Sequence, residues 1–259
     1  MTSKLTAAYE HLLTAETKKK SVAPLTDIYE ELTIKEAYEI QLKGIQQKVK
    51  DGERIAGKKI GLTSVAMQKL LGVDQPDYGH LLGSMEVEDA ETVSSSTLFQ
   101  PKVEGEIVFV LKKGLKGPSV TAEEVMEATE YIVPSLEIVD SRIADWKIRL
   151  EDTIADNASC GLFVLGKERF SPVDMDLGEI EMRLYKNGKH VNTGFGKDVL
   201  GHPATCVAWL ANKLYEFGGE LEAGEVILSG ALSAAVAAEP GDWFTAEFTQ
   251  LGKVEVSFE

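Results

Sequence analysis

Apolar side chains recur along this chain with two different periods, and the change from one to the other falls near residue 55. Before it, Leu5, Ala8, Tyr9, Leu12 and Leu13 repeat at helical spacing, which predicts an opening amphipathic helix. Lys18, Lys19 and Lys20 fall at its end, where cations favour the helix dipole. A second stripe of Ile34, Ala37, Tyr38, Leu42, Ile45 and Val49 follows Thr33 and Glu36, the two partners of a capping box, and Gly52 supplies a stop. Residues 1–54 therefore read as a small helical segment, and residues 55–259 as a β-rich core.

Within the core, glycines at 57, 61, 72, 79 and 83 predict tight turns and close backbone approaches. A short helix-like piece ends at Leu71, and Asp77 falls in a Pro-Asp-Tyr-Gly turn. Residues 100–111 are rich in β-branched and aromatic side chains and predict a strand that opens at Pro101. Thr121 and Glu124 cap a short helix, and 131–139 reads as a second strand interrupted by Pro134. Residues 161–165 return to strand, and Asn187-Gly188 marks a hairpin. His202-Pro203 starts a helix lined by Val207, Leu210, Ala211 and Leu214 and ended by Gly218. Strand patterns at 225–229, 243–248 and 253–258 close the chain. The expectation is an α+β fold, a β-rich core with a few packed helices, not a doubly wound parallel sheet.

At 259 residues the chain can bury a substantial core, and 44% apolar and 27% charged residues are ordinary for a globular protein. The net charge of −15 disfavours nucleic acid and anionic membranes as partners. The two cysteines, Cys160 and Cys206, form no zinc or disulfide pattern and read as small core residues. The first thirty residues lack the apolar stretch of a signal peptide, so a cytoplasmic location is expected.

The alternation of the 100–111 strand raises the first chemical question. Val103, Gly105, Ile107 and Phe109 share one face, while Glu104, Glu106, Val108 and Val110 share the other. Two adjacent carboxylates beside valines that favour burial repel one another, and a divalent cation with oxygen preference relieves that. A solvated acidic edge strand is the plainer alternative. Glu137, between Leu136 and Ile138 on the next strand, offers a third carboxylate, and three suit Mg²⁺ or Mn²⁺ with positions left for substrate. Lys59, bracketed by Gly57 and Gly61, is either a solvated lysine or one whose charge is disfavoured beside the site. Asp77 and the run Asp156-Asn157-Ala158-Ser159 read as ordinary turns bonding their own backbone. A Gly-Lys-Ser/Thr phosphate loop, a Rossmann fingerprint and a Gly-x-Ser-x-Gly elbow are all missing, which removes nucleotide hydrolysis, nicotinamide redox chemistry and α/β-hydrolase catalysis as favoured readings.

Several blocks in one order carry a resemblance: Gly57-Lys58-Lys59-Ile60-Gly61-Leu62-Thr63-Ser64, Leu71-Gly72-Val73-Asp74-Gln75-Pro76-Asp77-Tyr78-Gly79, Pro101-Lys102-Val103-Glu104-Gly105-Glu106-Ile107, Asp140-Ser141-Arg142, Asp152-Thr153-Ile154-Ala155-Asp156-Asn157-Ala158-Ser159 and Gly201-His202-Pro203. With these the chain resembles the fumarylacetoacetate hydrolase superfamily, in its branch of 2-hydroxypenta-2,4-dienoate hydratases and 4-oxalocrotonate decarboxylases from aromatic meta-cleavage pathways. The resemblance implies a mixed β-roll or barrel-like core with a small N-terminal helical segment, assembled into homo-oligomers. It implies Mg²⁺ or Mn²⁺ on Glu104, Glu106 and Glu137, and proton transfer by Lys59 and Asp77. Leu62, Ser159, Ala231 and Leu232 would line the pocket of a small 2-oxo or 2-hydroxy-dienoic acid.

The implied reaction adds water to 2-hydroxypenta-2,4-dienoate to give 4-hydroxy-2-oxopentanoate. Three relatives of that reading share the scaffold. Decarboxylases of 4-oxalocrotonate typically carry an apolar residue where Asp77 stands, though the Ser233-Ala234-Ala235-Val236 segment is similar to theirs. Hydratases of seven-carbon diacids need a further cation, which Arg142, Lys147 or Arg149 could supply. Hydrolase members employ a histidine on an N-terminal lid, and His11 lies in no such motif. A reading of another class is a noncatalytic metal-binding subunit associated with a pathway partner enzyme.

Overall fold

The computed structural model describes residues 3–64, 68–69, 72–173 and 175–259. The first apolar stripes fold as expected into α1 (Ser3–Lys18) and α3 (Ile34–Lys50), with a short α2 (Leu25–Ile28) between them. Leu5, Ala8, Leu12 and Ala15 form the buried side of α1. The capping box at α3 is closed: the Thr33 hydroxyl accepts from the Glu36 N–H at 3.2 Å, and the Glu36 carboxylate accepts from the Thr33 N–H at 3.0 Å.

Beyond residue 55 strands outnumber helices. A larger sheet runs β2 (Asp77–Leu82), β1 (Ile55–Gly61), β10 (Val226–Ala231), β5 (Lys102–Leu111), β6 (Thr129–Val139), β7 (Cys160–Leu165), β3 (Glu86–Val87), with β11 (Val236–Ala237) added beside β5. It curls as a half-barrel. A second sheet runs β4 (Thr92–Val93), β13 (Gly252–Phe258), β12 (Trp243–Phe248), β8 (Glu181–Lys186), β9 (Lys189–Phe195). The β1–β10, β3–β7 and β4–β13 pairs are parallel and the other pairs antiparallel, so the α+β expectation with a mixed β core holds.

Local chemistry explains several elements. Asn187 and Gly188 take φ of 54° and 74°, the left-handed pair that a two-residue turn between β8 and β9 requires. The Thr121–Glu124 box caps α4 (Ala122–Ala128), and His202 Nδ1 accepts from the Ala204 N–H at 3.1 Å to cap α6 (Pro203–Glu216). Pro134 does not interrupt its strand: β6 runs through it. Its carbonyl accepts from the Gly166 N–H just past the end of β7, so its missing donor falls where that ladder has stopped.

Two readings of the glycine-rich region change. The Lys58-Lys59-Ile60-Gly61 stretch is strand β1, and Asp77 opens strand β2 antiparallel to it instead of sitting in a turn. Alternating glycines and lysines hid that strand, because its side chains pack against other strands and not along a periodic apolar face. The helix-like piece expected to end at Leu71 lies partly outside the described residues; Gln68 and Lys69 are helical. A further helix, α5 (Leu150–Ala155), stands in the polar 140–160 region.

Candidate active site

The antiparallel register of β5 and β6 sets Glu104 opposite Glu137 and Glu106 opposite Ser135. Opposed residues share a face, so two strands bring three carboxylates together. Each offers an oxygen within 4.8 Å of the others'. Glu106 and Glu137 are each 1% exposed, and the half-buried Glu104 forms the open side. Glu106 Oε2 accepts from the Gly230 N–H at 2.7 Å, a donor aimed by a glycine at φ 113° where β10 bulges away from β5.

Neither oxygen of Glu137 accepts a hydrogen bond, and its 3.1 Å approach to Lys59 Nζ is an ion pair outside hydrogen-bond geometry. Burial pushes all three carboxyls above their usual range, and their mutual repulsion pushes Glu104 and Glu106 further. Orphaned buried oxygens on a cluster of hard donors are what a divalent cation completes, so the residues fit Mg²⁺, Mn²⁺ or Ca²⁺.

Lys59 and Asp77 meet through the β1–β2 register. Lys59 lies opposite Gly79, and Gly61 opposite Asp77, so the two candidate side chains are diagonal across a quartet whose other corners are glycines. The room is needed. A Cβ on Gly61 would stand 2.2 Å from Asp77 Oδ1, and one on Gly79 would stand 2.4 Å from the Asn157 carbonyl. Burial opposes the Lys59 charge, but Glu137, Cys160, Asp77 and Glu104 outweigh it and hold the ammonium above its ordinary value. That corrects the expectation of a lysine whose charge is disfavoured. Burial raises the Asp77 carboxyl, with Lys59 and the Thr153 hydroxyl pulling it back.

Lys59, Asp77, Glu104, Leu62 and Ser159 line one cleft of about 250 Å³. Leu62, Glu104, Ala231 and Leu232 line an adjoining cavity of about 550 Å³. Leu62, Trp146, Ala158 and Ser159 hold left-handed φ of 56°, 54°, 51° and 52° at the cleft wall. Non-glycine residues adopt that region at a cost, and such strain clusters at functional sites. A smaller pocket between α1 and α3, about 60 Å³, is too small for a dienoic acid.

The profile of the fumarylacetoacetate hydrolase C-terminal family matches residues 68–259. The chain belongs to that family. It is 50% identical over 252 residues to a 2-hydroxyhexa-2,4-dienoate hydratase of Comamonas testosteroni, covering 96% of this chain and 94% of the relative. It is 47% identical to a 2-keto-4-pentenoate hydratase of Paraburkholderia xenovorans (strain LB400), covering 97% and 94%. The solved 4-oxalocrotonate decarboxylase from Pseudomonas putida G7, complexed with magnesium and adipate, superposes with a TM-score of 0.97 at 37% identity over 100% of this chain and 99% of that one.

Within this family member the polar 140–160 region is a support for the site and not a row of simple turns. Asp156 accepts from the Ser141 hydroxyl at 3.1 Å and the Arg142 N–H at 3.0 Å, and Arg142 Nε pairs with its carboxylate. Arg142 Nη1 also donates to the Cys160 carbonyl at 2.7 Å, so the guanidinium clamps both ends of the left-handed run at Asn157, Ala158 and Ser159. Asn157 pairs through its amide with the His80 backbone on β2, at 2.8 and 2.9 Å, not with its own backbone. Arg142 is thereby consumed, and Lys147 is exposed against Asp145, which leaves Arg149 as the one of the three suggested diacid cations that lines the cleft.

Sequence reasoning missed Lys102 and Trp146, and it read close approaches at Gly61 and Gly79 without their partners. The glycines need the strand register, which no local pattern carries. Lys102 was open to view, standing two residues before Glu104 on the same face.

Proposed function

We propose that this protein is a divalent-metal-dependent hydratase of short 2-hydroxy-2,4-dienoic acids, acting on 2-hydroxypenta-2,4-dienoate or its six-carbon homologue. The observation that carries this reading is the diagonal Lys59–Asp77 pair in the cleft that Glu104 also lines. Glu104, Glu106 and Glu137 would hold Mg²⁺ or Mn²⁺, which when bound supplies electrophilic pull on the substrate's carboxylate and 2-oxygen. Lys59 and Asp77 divide the proton transfers between them. The 2-hydroxyl loses its proton and one is delivered to C5 as the dienol becomes an enone. Another is taken from the water that adds at C4, and C3 is protonated to give 4-hydroxy-2-oxopentanoate. Leu62, Ala231 and the buried Leu232 give the hydrocarbon end an apolar wall, and Ser159, whose hydroxyl sits 3.4 Å from that of Thr153, borders the reacting end. A cytoplasmic setting and homo-oligomeric assembly belong to the same proposal, on the family resemblance, and sedimentation tests the second.

The second reading is decarboxylation of 4-oxalocrotonate, favoured by the 0.97 TM-score to a solved decarboxylase. Losing carbon dioxide needs an electron sink and no group that activates water, so a buried carboxylate beside Lys59 favours hydration. The deciding experiment follows the ultraviolet absorbance of 2-hydroxypenta-2,4-dienoate with Mg²⁺ and after EDTA, beside 4-oxalocrotonate. Metal-dependent loss of the dienoate, or of its six-carbon homologue run beside it, without carbon dioxide release is expected. Loss of the diacid with carbon dioxide release overturns the hydratase reading, and loss of none of the three substrates overturns it in favour of a noncatalytic subunit.

A further inference from the structure

The acidic cradle poses an electrostatic problem for its own substrate. Four carboxylates, those of Glu104, Glu106, Glu137 and Asp77, lie around Lys59, and the first three would hold the proposed divalent cation. In formal terms this leaves an excess of negative charge, in a protein whose net charge is −15, at a site that must admit an anionic 2-oxo acid. A further cation close by would offset that excess.

Lys102 stands two residues before Glu104 on β5, on the same face. It lines both the Lys59–Asp77 cleft and the adjoining cavity, so it stands where the two meet. Among the described residues its ammonium makes its close contact with an aromatic ring and not with a carboxylate, lying 4.1 Å from the centroid of Trp146. That ring is fixed. Trp146 Nε1 donates to the Gln100 carbonyl at 3.1 Å, and Asp145 and Trp146 hold consecutive left-handed φ of 58° and 54°. A cation–π contact restrains an ammonium without neutralising it, so the donors turned away from the ring stay available to an anion. Arg149 also lines the cleft but is exposed at its rim, outside any such clamp.

We infer that Lys102, clamped on Trp146, is the side chain that receives the substrate carboxylate oxygen not taken by the cation and makes this acidic cleft selective for an anion. The inference rests on the reading of the site as one for 2-oxo and 2-hydroxy acids, and it is tested by binding instead of turnover. Calorimetry in Mg²⁺ compares 2-oxopentanoate with the uncharged 2-oxopentanamide on the wild type, Lys102→Met and Lys102→Arg. A lost charge-assisted hydrogen bond weakens the acid by roughly ten- to a hundredfold in Lys102→Met, leaves the amide unchanged, and is largely restored in Lys102→Arg. Mg²⁺ titrated alone binds Lys102→Met at least as tightly as the wild type.

Equal binding of the acid by wild type and Lys102→Met overturns the inference, whatever the turnover. So does a parallel loss of acid and amide, which would give Lys102 a purely structural part, or a wild type that binds neither. Selective loss of the acid upholds Lys102 even if the dienoate is never hydrated.

Discussion

Two clusters of buried charge lie within the same fold, and they are built on opposite terms. At Arg142 and Asp156 each charge has a counter-charge, and the carboxylate also takes the Ser141 hydroxyl and a backbone N–H. At Glu104, Glu106 and Glu137 carboxylates outnumber Lys59, and both Glu137 oxygens lack a donor. Both clusters bear the cost of leaving water. The first is complete and holds a strained loop in place. The second lacks such a complement within the chain, and on the proposed reading a divalent cation supplies it.

Breaking each cluster therefore reads out differently. Glu106→Gln keeps the shape and an acceptor for the Gly230 N–H but removes one of three charges. Metal-dependent loss of dienoate absorbance falls by about a thousandfold or more, while circular dichroism and the thermal midpoint of the metal-free protein stay at or above wild type. Wild-type rates would take Glu106 out of the site. Arg142→Met acts on the complete cluster and leaves Asp156 buried without its counter-charge. Urea denaturation registers a loss of about 3–5 kcal/mol, and a loss under 1 kcal/mol would show that the pair is not the clamp described.

That difference also explains what the sequence could and could not disclose. Glu104 and Glu106 are visible because period-two alternation puts them on one face with valines, and Glu137 because it interrupts an apolar run. Helices α1, α3, α4 and α6, the Asn187-Gly188 hairpin and the caps at Thr33, Thr121 and His202 are local chemistry and were legible for the same reason. The Lys59–Asp77 partnership is not local: it depends on pairing Gly61 with Asp77 and Lys59 with Gly79. Nothing within either strand encodes that register, and only the family resemblance named the pair. The 157–159 run looked like a plain turn because its partners, Arg142 and His80, are 14 or more residues away.

The incomplete cluster can also be completed. Adding Mg²⁺ to metal-free protein relieves the repulsion among the three carboxylates and stabilises the folded state by mass action. At a hundredfold excess over the dissociation constant the gain is about 2.7 kcal/mol, read as a rise in thermal midpoint that EDTA reverses. The rise should be the same size in Arg142→Met and sharply reduced in Glu106→Gln. An equal rise in both variants would place the cation elsewhere.

The smallest effect tests the complete side of the comparison through His80, whose backbone pairs with the Asn157 amide. Gln41 Nε2 donates to the Tyr78 and Ile154 carbonyls at 2.9 and 2.8 Å, so its Oε1 faces His80 Nδ1 at 3.1 Å and the ring is the donor there. Burial, with the Lys58 ammonium beside it, pushes the imidazole from its ordinary 6.5 down to about 3. The unfolded chain takes up this proton as pH falls through 6.5, and the folded chain resists until about 3, so stability is full above 6.5 and declines between those values. The slope is about 1.4 kcal/mol per pH unit, or about 2 kcal/mol lost by pH 5 from this group alone. Urea midpoints at pH 7, 6 and 5 measure it against His80→Gln, which lacks the titration whatever its baseline stability. Parallel pH curves for the two proteins would mean that His80 accepts a proton in the folded state, and that this cluster is less closed than its hydrogen bonds imply.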